Sequence, residues 1–155
     1  MDLSRYFVTD DGSLPEVRVS FSDPSVVPVA FKHLYDRGAR NVTVNGGYLW
    51  IKASEVEKPF LGYEDAVLVA SGDAEAFHVV LANIAGSSTP IPDLGVFVYE
   101  DSLDFDYRMG SPWGKDEIQS FIALLVQLCE LGGQVSVPWW GAEGEQDFLD
   151  ALGRP

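Results

Sequence analysis

Residues 103–109 alternate without a break: Leu103, Phe105, Tyr107 and Met109 share one side, and Asp104, Asp106 and Arg108 share the other. Successive side chains of an extended chain point to opposite faces, so the segment reads as a strand with one apolar face and one charged face. Residues 94–99 supply a second β-type run, and Glu100-Asp101-Ser102 separates the two. They read as a hairpin, which joins antiparallel neighbours, whereas parallel strands require a long crossover. That pairing sets the class of fold.

Around the hairpin the chain reads as an α+β domain. Val17, Val19 and Phe21 alternate with Arg18 and Ser20 in another half-buried strand, broken by Asp23-Pro24-Ser25. A short helix enters near Pro28, since proline is tolerated in a first turn; Phe31, Leu34 and Tyr35 form its stripe and Gly38 stops it. Residues 41–52 read as a hairpin turning on Asn45-Gly46, residue types that accept the positive φ of a tight turn. Residues 53–66 are a polar connection with room for a short strand, and 66–70 read as a buried strand. Asp73 reads as the N-cap of a helix bearing Phe77, Val80, Leu81 and Ile84 at helical spacing, ended by residues 86–90.

The strongest helix covers 115–131, where Ile118, Phe121, Ile122, Leu125, Leu128 and Cys129 form a continuous stripe before Gly132-Gly133. A short strand over 134–137 and a final helix with Phe148, Leu149 and Leu152 follow. The order β-α-β-β-β-α-β-β-α-β-α predicts a mixed or antiparallel sheet with hairpins, its helices packed mainly on one side. Residues 1–155 read as a single domain, long enough and, at 46% apolar, hydrophobic enough to build a core without disulfides or metal. The lone Cys129 reads as a buried, inert thiol.

Charge narrows the partners. The net charge is −14, and it is unevenly placed: residues 1–58 hold seven basic against eight acidic side chains, residues 59–155 three against sixteen. Binding nucleic acid or an anionic membrane relies on Lys and Arg displacing counterions, so both are disfavoured. A basic protein partner is the complement; acidity that serves solubility alone is the competing reading. The first eight residues lack a basic region followed by a long apolar stretch, and the longest apolar run, 121–126, is far short of the ~20 residues of a membrane span. A cytoplasmic protein is expected.

Familiar catalytic signatures are missing. There is no phosphate-binding G-x-x-x-x-G-K-[ST] loop, no G-x-G-x-x-G and no G-x-S-x-G elbow. His33 and His78 fall on predicted helices without a second ligand at i+3 or i+4, so no catalytic residue, metal site or cofactor is assigned. Asp104 and Asp106 form the best carboxylate pair, roughly 7 Å apart on one strand face, and the ordinary reading of such alternation is a solvated face. Arg108 stands beside them, paired with Asp106 on that reading. Trp139-Trp140, near Glu143, Glu145 and Asp147, combine aromatic and acidic groups as binding hot spots do; the competing reading has both rings plugging the core.

The strand end Tyr107-Arg108-Met109-Gly110, then Trp113 and a long amphipathic helix, in a small acidic chain with one cysteine, resembles the immunity proteins of bacterial contact-dependent and type VI toxin systems. The likeness covers residues 94–137 and is one of layout and charge. It implies a protein that binds a cognate toxin and blocks its active site, with Asp101, Asp104, Asp106, Trp139, Trp140, Glu143 and Glu145 as the partner-binding set. Two alternatives stand beside it. One is a small enzyme or small-molecule-binding domain built around Asp104, Asp106 and Arg108 with His78 and Tyr107. The other is a subunit of a larger assembly, such as a homodimer joined through a sheet edge or the 115–131 helix.

Overall fold

Six strands pair in the order β2-β5-β6-β7-β1-β8 in the computed structural model, which describes residues 2–153. They are β1 (Glu16–Phe21), β2 (Arg40–Asn41), β5 (Phe77–Ala82), β6 (Leu94–Val98), β7 (Ser102–Tyr107) and β8 (Gly133–Ser136), and every pairing is antiparallel. A separate hairpin, β3 (Tyr48–Ile51) with β4 (Val56–Pro59), stands beside β5. The helices are α1 (Val26–Asp36), α2 (Ala66–Ala70), α3 (Lys115–Glu130) and α4 (Gly141–Ala151). The α+β class and the one-sided helical layer follow the reading of the sequence.

Alternation builds the sheet. Val17, Val19 and Phe21 of β1, Leu103, Phe105 and Tyr107 of β7, and Phe77, Val79 and Leu81 of β5 are all buried. This is the face the helices cover: Phe121 of α3 lies against Phe105 and Tyr107, and Phe31 of α1 packs edge-on against Phe77. Phe7, ahead of β1, stacks on Tyr107 at 4.6 Å between ring centroids and touches Trp113 and Phe148. Truncating one of these fully buried rings costs about 3–5 kcal/mol.

Three local expectations are corrected. Residues 73–86 hold strand β5 rather than a helix: Phe77, Val79 and Leu81 face the core while His78 and Val80 are half-buried on the other side. The apolar set fits both periods, and pairing with β2 and β6 decides for the strand. Asp73 caps no helix there; its amide donates to the Leu68 carbonyl and its carboxylate accepts from Ser71, closing the turn after α2 through Gly72, at φ 85°.

Residues 66–70, expected as a strand, form the short helix α2, with Ala66 and Val69 buried three apart and Val67 exposed. Residues 41–52 do not fold back on themselves. Asn41 accepts from the Thr43 amide and hydroxyl and donates to the Gly46 carbonyl, while Asn45, Gly46 and Gly47 all take positive φ. The type I′ hairpin turn that Asn-Gly favours has two positive angles. The third sends the chain away, so β2 joins the main sheet and β3 pairs with β4.

Candidate functional site

The uncovered side of the sheet carries the polar residues of the alternation. Arg18, Asp104, Phe97 and His78 stand in one row across β1, β7, β6 and β5. Arg18 grips Asp104 through Nε at 3.0 Å and Nη2 at 2.8 Å, and the Ser102 hydroxyl donates to the same carboxylate. Asp106 reaches over β6 to His78, whose Nε2 lies 2.7 Å from Oδ2. It crosses at Gly95, its partner in register, where a Cβ would stand 2.1 Å from Oδ1. Asp104 and Asp106 are only 4% and 9% exposed, so they are not the solvated pair that alternation suggested. Each is met by a basic side chain from another strand of the sheet.

The other residues singled out in the sequence lie elsewhere. Asp101 is exposed in the turn between β6 and β7. Trp139 and Trp140 sit in the 3-10 turn Pro138–Trp140. Trp140 is half-buried, 5.2 Å from the Tyr6 ring, and its indole N–H donates to the Tyr107 hydroxyl, on the helix-covered side of β7. Trp139 is 48% exposed. Glu143 accepts from Arg5, and Glu145 accepts from the Val137 amide at 2.7 Å, closing the turn into α4. Asp147 accepts from Arg5 and from the Tyr6 hydroxyl, and those bonds, Tyr6 first, hold its carboxyl below the usual range. The proposed set therefore divides between the two faces of β7. Arg108 is exposed, 3.7 Å from Asp10, and takes no part in the Asp104–Asp106 cluster; His78 does.

The charge asymmetry along the sequence is mixed by folding. Arg5 meets Asp147, Arg18 meets Asp104 and Lys58 meets Asp65, each joining a base of the first 58 residues to an acid beyond them. Part of what is left over falls in a stretch the sequence did not single out. Residues 53–75 hold six carboxylates against one lysine. Among the described residues Glu55, Glu57, Glu64, Asp73 and Glu75 are exposed and stand in no ion pair.

Exposed apolar surface gathers in an overlapping stretch that begins a little earlier. Seven of the eleven exposed large hydrophobic residues among those described fall between Val42 and Val67, including Tyr48 at 61% and Trp50 at 38%. The β3–β4 hairpin has only two strands, so side chains on the face away from the core have no layer above them. Between the hairpin and the start of β5 lies an open cleft of about 750 Å³, with Tyr48, Trp50, Glu57 and Glu75 on its walls and Phe97 and His78 also facing it. The signal in the sequence was Tyr48-Leu49-Trp50-Ile51, apolar on both strand faces, of which Leu49 alone is buried.

Among the described residues no group of three or more His, Cys, Asp or Glu converges to hold a metal ion, and no helix is long and apolar enough to cross a membrane. The chain matches no protein-family model, no curated protein and no solved structure.

Proposed function

We propose that this chain is an acidic interaction protein that docks onto and occludes a basic surface of a protein partner, using the 42–78 region as its contact face. One observation carries the reading: exposed apolar side chains and unpaired carboxylates coincide there. Contiguous apolar surface rimmed by polar groups is the usual composition of an interaction site. Carboxylates without internal partners supply complementarity to Lys and Arg, and the net charge of −14 speeds encounter with a basic surface by electrostatic steering.

The layout of residues 94–137, with its likeness to small acidic immunity proteins, supports a cognate bacterial toxin as the partner. The enzyme or small-molecule alternative draws its one specific support from the His78–Asp106 couple beside the cleft.

The test is co-purification of the tagged chain with the product of the adjacent upstream gene in low salt. A complex whose affinity falls steeply with salt supports the reading. Absence of a complex at micromolar concentrations counts decisively against it.

A further inference from the structure

Within that face, the geometry points to a receptor for a single cationic side chain, and we infer that its occupant is an arginine of the basic partner. The inference rests on the docking reading above and adds the chemistry of one contact. Trp50 is paired with Glu57 across the β3–β4 hairpin. On its other side, Ile51 bridges to Ala74 and the Glu75 amide donates to the Trp50 carbonyl at 2.9 Å, which sets Glu75 opposite Trp50 in turn. Directly opposed residues of antiparallel neighbours share a face, with Cβ atoms about 5 Å apart. Glu57, Trp50 and Glu75 therefore stand in one line on one face, the indole between two carboxylates.

Tyr48, two residues along β3, faces the same way. All four side chains line the cleft, and no basic side chain among the described residues pairs with either glutamate. A cation over an indole face is attracted by the ring quadrupole, and the flanking carboxylates add charge-assisted hydrogen bonds. Guanidinium suits this site better than ammonium. It is planar, so it stacks on the ring while its edge donors reach both acids, and it is more weakly hydrated.

Titration of the isotope-labelled full chain with Nα-acetyl-arginine amide, read at the Trp50 indole N–H by NMR, tests the inference. That resonance is assigned from Trp50→Phe. Saturable movement at Trp50 is expected, with Trp139 unmoved. A Glu57→Gln, Glu75→Gln double variant is expected to weaken binding at least tenfold while its other resonances stay in place, and Nα-acetyl-lysine amide is expected to bind several-fold more weakly.

No saturable shift at Trp50, an unchanged affinity in the double variant, or equal binding of the lysine probe each overturns the arginine receptor. The two readings separate cleanly. If the arginine probe fails while the partner complex forms, the receptor falls and the docking reading stands. If the probe saturates but no partner is captured, the docking reading falls and the receptor stands.

Discussion

Replacing Gly95 with alanine is predicted to be among the most damaging single-methyl additions in this protein. The new Cβ would stand 2.1 Å from Asp106 Oδ1, 2.4 Å from Oδ2 and 2.5 Å from Cγ. Those atoms cannot swing aside freely, because Oδ2 is held 2.7 Å from His78 Nε2 and Asp106 is buried. Forcing a methyl into a filled site costs typically about 1–3 kcal/mol. Displacing the carboxylate also forfeits a hydrogen bond to a charged group, worth about 1.5–3 kcal/mol, and the lower end applies because His78 is a third exposed. Together the loss is roughly 2.5–4.5 kcal/mol, or about 5–18 °C in Tm for a chain of this length.

The control is the same change in an Asp106→Ala background. There the obstructing atoms are gone and the added methyl meets ordinary cross-strand neighbours. Gly95→Ala is then expected to cost less than about 0.5 kcal/mol, since glycine weakens a strand interior in any case. Urea unfolding of the four proteins, followed by far-UV circular dichroism, is expected to give a coupling energy of about 2–4 kcal/mol between these contacting residues. Equal costs in the two backgrounds would falsify the claim that Gly95 exists here to let Asp106 cross β6.

Other consequences follow from the same contacts. Tyr107→Phe removes a hydroxyl that donates to the Tyr6 carbonyl and accepts from the Trp140 indole, at a 1% exposed position. Urea unfolding should register a loss of about 1–3 kcal/mol from the groups left unpaired. Arg18→Met strands the Asp104 carboxylate on the sheet; because Arg18 itself is half exposed, the expected loss is about 1–3 kcal/mol rather than the full cost of a buried pair, with Asp104→Asn in the same protein restoring part of it. The Asp147 carboxyl is held below its ordinary 3.8, so its contribution is complete above that value and lost as pH falls through the lower folded-state value. An acid unfolding series should therefore show Asp147→Asn less stable than the parent at neutral pH, with the difference shrinking below about pH 4.

Local patterns in the sequence were a sound guide wherever one period dominated. The alternation of Val17-Val19-Phe21 and Leu103-Phe105-Tyr107, and the stripe from Ile118 to Leu128, lie in the elements they predict. Phe77, Val80, Leu81 and Ile84 misled because the run they sit in also alternates as a strand, Phe77-Val79-Leu81, and the deciding partners are far away in the chain. Sites depend on such distant partners even more. Asp104 and Asp106 read as solvated because nothing local reveals Arg18, eighty-six residues earlier, or His78 on the far side of β6. Trp50 passed as part of one arm of a hairpin within residues 41–52. Its exposure follows from pairing with β4 instead, in a hairpin with no further layer on that face.

The most direct measurement of the docking account is the hydrogen-exchange footprint of the chain in complex with its captured partner. Slowed exchange is expected over 48–51, 56–59 and 74–78, the backbone that carries Tyr48, Trp50, Glu57 and Glu75. Slowed exchange confined to 138–147, around Trp139 and Glu143, with the hairpin unchanged, would contradict it.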